Sequence, residues 1–407
     1  MSLKFDFIFL LFGLVFLPSG LDIGFTRKPA LLNKPIRPGA DQIEKYLPYI
    51  KNKRVGIVMN QTSTIGNKLS VDSLLSHGVH IKTIFGPEHG FRGNASNGAK
   101  VRNEIDPNSG IPIISLYGTK RKPSKEDLDS LDIMIFDIQD VGCRFYTIIN
   151  TLYEVMESCA RYNKRLIILD RPNPNGYVDG PVLDMKLKSG IGKFPIPITH
   201  GMTIGEFAQM INGEGWLTDK AKCDIDIIKV ENYRHDMPYI LPVSPSPNLN
   251  TQQSVLLYPS LCLFEGTIIS QGRGTLMPFT VLGNPYLNKV YDFSFKPVSI
   301  PGMSETPLHE NKTCYGIDLR DYDAKKLHKS GRINLSWLIE IYKAYPFKEK
   351  FFDASQSNQI GNFDKLAGTT NLREQIIDGV PENDIRKSWE PQLTAYKAIR
   401  KKYLLYP

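Results

Sequence analysis

Past its first twenty residues the chain has no apolar run approaching the roughly 20 residues that a bilayer crossing requires, so no integral membrane span is expected beyond the leader. It also has no run of five or more like charges, and so no polybasic arm or acidic tail. No nucleic-acid partner is expected. The five cysteines, Cys143, Cys159, Cys223, Cys262 and Cys314, are odd in number, widely spaced and without a C-x-x-C pair, which argues against a zinc knuckle. Buried free thiols and a single bridge both fit that pattern. Where a dinucleotide fold needs G-x-G-x-x-G, the chain reads Met59-Asn-Gln-Thr-Ser-Thr64, and neither a P-loop nor a G-x-S-x-G elbow occurs elsewhere. With no H-E-x-x-H either, no metal and no cofactor is expected. A site built from His89, His200 and a nearby Asp is the metal alternative, which a chelator would expose. Internal repeats and low-complexity tracts are absent.

What is there is ordinary globular composition: 407 residues, 41% hydrophobic and 23% charged. That length suits two domains, each with its own core. Lys plus Arg number 50 against 42 for Asp plus Glu, a net charge of +8. An excess of this size fits a solvated surface and also favours anionic partners such as cell-wall polymers. Lys4 followed by the apolar run Phe7 to Leu17 has the shape of a signal-peptide core, so residues 1–20 are read as a leader and the protein as exported, periplasmic or secreted.

From Lys53 onward, short β-branched runs alternate with amphipathic helical patterns. The runs are Arg54 to Met59, His80 to Phe85, Ile111 to Leu116, Asp132 to Asp137 and Arg165 to Asp170. Continuous apolar strands of this kind are expected when helices cover both sheet faces. Helical spacing occupies Ser70 to His77, Ser124 to Leu131 and Ile148 to Tyr162, with further helices starting near Thr203 and spanning Ile385 to Leu404. The fold class is therefore α/β, a Rossmann-like, doubly wound and mostly parallel sheet over residues 40–249. A smaller C-terminal α/β domain over residues 250–407 completes the cleft.

In such sheets ligands gather beyond the carboxyl ends of the strands, and the polar clusters of this chain fall there. Asn60 and Gln61 follow the first run. Gly86-Pro-Glu-His-Gly-Phe-Arg-Gly93 follows the second and supplies Glu88, His89 and Arg92. Its glycines allow a tight backbone, its carboxyl can serve as a general acid when burial raises its pKa, and its guanidinium can hold an anion bidentately. Phe136 to Tyr146 crowds Asp137, Asp140, Arg144 and Tyr146 after the fourth run. Either the two carboxyls take part in chemistry or they fix an ion pair. Asp170-Arg-Pro-Asn-Pro-Asn-Gly176 supplies Asp170 and Asn173, whose amide suits sugar hydroxyls and acetamides. His200 is a weaker candidate. In the second half, Asn248, Glu265 and Arg273 stand out, with Glu265 read either as partner carboxyl to Glu88 or as an ion-pair partner of Arg273.

These segments together, with Leu263-Phe-Glu-Gly-Thr267, make the sequence from about residue 45 onward resemble the exo-acting β-N-acetylmuramidases, a NamZ-like family long known as a domain of unknown function. The resemblance implies release of terminal N-acetylmuramic acid from the non-reducing end of peptidoglycan fragments. It also implies an active site between a Rossmann-like domain and a smaller C-terminal one, with Glu88 as the catalytic glutamate. On that basis Glu88, Asp140 and Glu265 are the expected catalytic set. Asn60, Gln61, His89, Arg92, Asp137, Arg144, Tyr146, Asp170, Asn173, His200, Asn248 and Arg273 are expected to bind substrate, with an arginine on the lactyl carboxylate. Retention needs the two carboxyls about 5 Å apart and inversion about 6.5–9.5 Å. The rival reading from another class is a peptidoglycan-binding protein without catalysis. An esterase or amidase would need a nucleophile beside a base, and Ser260 offers no such setting.

Overall fold

In the computed structural model, which describes residues 34–87, 104–353 and 362–407, the apolar runs assemble side by side into one sheet. Its strands are β1 (Arg54–Met59), β2 (His80–Gly86), β3 (Glu104–Ile105), β4 (Pro112–Ser115), β5 (Ile133–Asp137), β6 (Arg165–Leu169) and β7 (Ile225–Ile228). They stand in the order β7-β6-β5-β1-β2-β4-β3, parallel throughout except for the edge pair β3 and β4. All five expected strands are present. β3 and β7 escape the sequence pattern because one is two residues long and the other is a half-buried edge strand.

Side chains alternate between two apolar layers, which is why the strands read as unbroken hydrophobic runs. Val55, Ile57 and Met59 of β1 face one layer with Ile133 and Ile135, closed by Tyr46 and Ile50 of α1 (Ile43–Ile50) and Val71 and Leu74 of α2 (Ser70–Ser76). Val58, Met134 and Phe136 face the other, covered by α3 (Lys125–Asp129), α4 (Ile148–Arg161) and α5 (Ile204–Gly213). Each fully buried aliphatic side chain there contributes roughly 1.5–3 kcal/mol. Thr203 caps α5 reciprocally with Glu206, so the helix begins at the expected point.

The C-terminal half opens with α6 (Gln252–Leu261) and holds a three-stranded antiparallel sheet of β8 (Val281–Asn284), β9 (Ser294–Phe295) and β10 (Cys314–Asp318), with β10 in the middle. Helices α7 (Lys325–Ser330), α8 (Ser336–Ala344), α9 (Phe363–Ala367), α10 (Asn371–Ile377) and α11 (Glu382–Arg400) follow. One apolar cluster runs through α6, α8 and α11 and takes in Val141, Cys143 and Phe145 from the loop after β5. The two halves are thereby packed into a single compact unit, Ile36–Pro407. All five cysteines are buried free thiols, and no helix among the described residues is long and apolar enough to cross a membrane.

Three residues expected at the substrate instead hold this scaffold together. Arg144 is fully buried and donates to the carbonyls of Pro181 (3.0 Å), Ile196 (2.9 Å) and Leu366 (2.6 Å). Burial pushes its guanidinium down to about 9. Asp137 accepts from Arg171 Nε at 2.7 Å and Ser70 Oγ at 2.5 Å, beneath the strand ends. Asp170 accepts from Thr203 Oγ1 (2.7 Å), Gly205 N (2.8 Å) and Tyr406 Oη (2.5 Å), which anchors the start of α5 and the C-terminal segment. Burial raises the Asp170 carboxyl from 3.8 to about 6 against those donors.

Replacing Arg144 by Met strands the carbonyls of Pro181 and Leu366, while Ile196 O keeps its bond from Leu183 N, and is expected to cost about 2–4 kcal/mol in urea unfolding; a loss within experimental error would remove the anchor assignment. For Asp170 the folded state binds its proton more tightly than the unfolded chain does, so its contribution to stability is greatest below pH about 4. That contribution is lost as the pH rises through about 6, a swing of about 3 kcal/mol. Asp170→Asn should lower stability overall and flatten this part of the profile. Parallel pH profiles of wild type and variant, recorded by denaturant titration, would contradict it.

Candidate active site

Chain order reverses direction at β1: β2 and β4 extend the sheet to one side, and β5, β6 and β7 extend it to the other. The loops after β1 and β5 therefore part from each other and leave a crevice at their carboxyl ends. Asn60 follows β1 directly, and Phe145 to Ile148 come from the far end of the loop after β5; together they form one wall. The other wall comes from Pro245, Ser246, Asn248 and Leu249, which lead into α6, and from Tyr258, Glu265, Arg273 and Phe279 of the C-terminal half.

The loop after β5 reaches the cleft because of a tight turn. Asp140 Oδ2 accepts from Gly142 N at 2.7 Å, and Gly142 adopts φ +79° with its α-carbon pressed on Asn173. A Cβ there would come within 2.2 Å of the Asn173 amide, so only glycine fits. On the opposite wall, Gly266 brings the backbone of Phe363 to within 2.4 Å of where a Cβ would stand, which locks the Glu265 segment onto α9.

Glu265 and Arg273 are the charged pair of the cleft. Both Arg273 Nε (2.9 Å) and Nη2 (2.5 Å) donate to Glu265 Oε1. Glu265 Oε2 and Arg273 Nη1 make no hydrogen bond among the described residues. The guanidinium carbon stands 5.0 Å from the centre of the Phe279 ring, a cation–π contact. Burial opposes the Arg273 charge, yet Glu265 holds its pKa above the ordinary value. Phe279 itself has φ +53°, an outlier for an aromatic residue and the kind of strain that gathers at functional sites. Tyr258 packs edge-on against Phe145, Tyr146 and Phe279 at 5.3, 6.2 and 5.0 Å, giving the cleft an apolar floor.

Five expected residues meet in this cleft: Asn60, Tyr146, Asn248, Glu265 and Arg273. Asn60 Oδ1 accepts from Thr62, while Tyr146 Oη donates to Pro245 O at 2.9 Å and so ties the two walls together. Asn248 Nδ2 donates to Met303 O at 2.7 Å and leaves its Oδ1 without a partner among the described residues.

Other expected residues lie elsewhere. Gln61 straps the first loop to Ser244 O and Pro245 O. Asn173 is buried, donates to Met202 O and accepts from Asn175 N, so its amide serves the backbone and not a sugar. Asp140 is buried behind the cleft with His200 Nε2 3.5 Å from its Oδ2, and its Oδ1 has no partner among the described residues. His200 Nδ1 accepts from Met202 N, which leaves Nε2 to carry the proton facing Asp140. Asp137, Arg144 and Asp170 belong to the scaffold as above. Glu88, His89 and Arg92 lie outside the described residues.

The aromatic floor of Phe145, Tyr258 and Phe279 was not foreseen from the sequence. Phe145 and Phe279 are isolated aromatics in loops and carry no periodic signal, Tyr258 reads as one more apolar residue of α6, and positive φ at a non-glycine leaves no mark in composition.

The domain models of exo-β-N-acetylmuramidase NamZ match this chain twice, the N-terminal model over residues 55–253 and the C-terminal model over residues 256–406. The peptidoglycan β-N-acetylmuramidase NamZ of Bacillus subtilis strain 168 is 37% identical over 378 residues, covering 89% of each chain. Two crystal structures of DUF1343 family proteins from Bacteroides fragilis NCTC 9343 superpose on the fold. One has a TM-score of 0.83 at 45% identity over 92% of this chain and 99% of its own. The other has a TM-score of 0.76 at 28% identity over 91% and 99%. With both halves matched in order and the cleft formed between them, the chain belongs to the NamZ family of exo-β-N-acetylmuramidases.

Proposed function

We propose that the protein is an exo-acting glycosidase that removes terminal N-acetylmuramic acid from the non-reducing end of peptidoglycan fragments. The observation that carries this reading is the half-satisfied Glu265–Arg273 pair over Phe279 in a cleft between the two family domains. A carboxylate oxygen and a guanidinium N–H, both uncommitted among the described residues, are the groups needed beside a sugar that develops positive charge and carries a lactyl carboxylate. Export fits a cell-wall substrate, and the leader-like residues 1–20 support it.

In this reading Glu88 protonates the leaving glycosidic oxygen. Its segment begins directly after β2, whose neighbour β1 is followed by the cleft residue Asn60. Glu265 Oε2 faces the anomeric centre and steadies the developing cation or the incoming water. Arg273 Nη1 takes the lactyl carboxylate. The apolar floor supports the sugar face, while Asn60 and Asn248 address hydroxyl or acetamide groups. Asp140 acts from behind, setting the turn that delivers Tyr146.

Two activity measurements test these roles. Glu88→Gln is expected to lower turnover of a chromogenic N-acetylmuramide about 10²–10⁴-fold, and wild-type turnover would refute the acid assignment. Arg273→Met should reduce the preference for muramide over glucosaminide substrates by about 10- to 100-fold, the worth of one hydrogen bond to a charged group. An unchanged preference would place the lactyl group elsewhere. Binding of muropeptides with no release of free N-acetylmuramic acid would replace the enzyme reading with that of a binding protein.

A further inference from the structure

The cleft continues beyond the sugar site. Thr147 and Ile191, which line it, also line a second hollow with Tyr117, Arg121, Asn150 and Lys193. Arg121 and Glu154 of that hollow then border a third, reached by Lys120, Lys122 and Arg161. The run follows α4 from its first turn to its last residue, a length of about 20 Å at 1.5 Å per residue, well beyond one sugar ring.

Its character changes along the way. At the cleft end, Asn150 Nδ2 donates to Gly190 O at 2.8 Å while its Oδ1 has no partner among the described residues. Farther out, five basic side chains, Lys120, Arg121, Lys122, Arg161 and Lys193, face two carboxylates, Glu154 and Glu157. Lys193 pairs with Glu154, and Lys120 with Asp127 at 2.5 Å. Arg121, Lys122 and Arg161 form no ion pair among the described residues. Glu157 also lines the run, where it accepts hydrogen bonds from Tyr153 and Thr218 and feels the charge of Lys122. A neutral polar stretch thus leads from the sugar site into a stretch where basic groups outnumber carboxylates.

We propose that this run is the groove for the leaving part of the substrate and that its basic stretch binds the next muramyl unit through an anionic group. The inference rests on the muramidase reading above. An exo-acting enzyme closes on the terminal sugar, so the rest of the chain must leave along an open path. In a polymer that alternates glucosamine and muramic acid, the first sugar beyond the scissile bond is neutral, and the next again carries carboxylate. Neutral then anionic is the order of chemistry that the groove presents. The carboxylate is either a free lactyl group or belongs to a stem peptide attached to it.

The test compares kcat/KM of the full-length enzyme and of Arg121→Glu on three substrates. These are a chromogenic N-acetylmuramide, a peptide-free muramic-acid-terminated tetrasaccharide, and the same tetrasaccharide with a stem peptide on its inner muramic acid. Arg121 is exposed and among the described residues makes only a 3.4 Å hydrogen bond from its Nε to Gly118 O, so the variant keeps its fold. The chromogenic monosaccharide should be cleaved as by wild type. The longer substrates should lose about 3- to 10-fold, as expected for screened surface charges, with the loss fading at high salt and restored in Arg121→Lys. A loss with both tetrasaccharides assigns the lactyl group, and a loss confined to the peptide-bearing one assigns the stem peptide. An equal effect on all three substrates, or none on any, overturns the groove while leaving the muramidase reading intact. A wild-type enzyme that releases no muramic acid from any of them overturns both.

Discussion

The buried guanidinium of Arg144 is the interaction on which the arrangement of the cleft depends. It lies in the loop after β5 and is held by carbonyls from two loops of the N-terminal half and from Leu366 in the C-terminal half. Gly368 packs against it so closely that a Cβ there would stand 2.6 Å from Nη2. Taking a cation out of water costs several kcal/mol unless its donors are met. Three converging carbonyls therefore make one position of these segments far better than any other. The next two residues, Phe145 and Tyr146, are cleft residues, and their position follows from the anchor.

The polar residues at the strand ends divide into two sets according to how completely their hydrogen bonds are met inside the protein. Asp137 with Arg171, and Asp170 with Thr203, Gly205 and Tyr406, are saturated by backbone and side-chain donors. Such groups specify the fold and have nothing left to offer a ligand. Glu265, Arg273 and Asn248 retain an atom each with no partner among the described residues. Of these, Asn248 Oδ1 is fully buried, and a buried polar atom without a partner is costly.

The cleft belongs to neither half alone. Its first wall comes from the ends of a parallel sheet, the usual place for ligands in such folds, and its charged pair comes from the segment after α6. One apolar cluster passes beneath both walls, and Tyr146 reaches across to Pro245. This continuity holds the walls in fixed relation, as a glycosidase that must position two carboxyl groups requires.

Much of the fold was legible in the chain itself. Unbroken β-branched runs declare strands buried on both faces, and helical spacing between them declares the crossovers, because burial on a parallel sheet leaves a local, periodic trace. The clusters at the strand ends were visible for the same reason, and Glu265 with Arg273 were recognisable as a pair or as working groups. Direction and depth could not be read. Asp137, Asp140, Arg144 and Asn173 look as available in sequence as Tyr146 does, and only tertiary packing decides which turn inward to partners within the protein and which face the opening. The aromatic floor and the strained backbone of Phe279 were equally hidden. Residue type states what a side chain can bond to. Whether those bonds are already made depends on partners far along the chain, as with Arg144 and Leu366, and such partners meet only when the chain is folded.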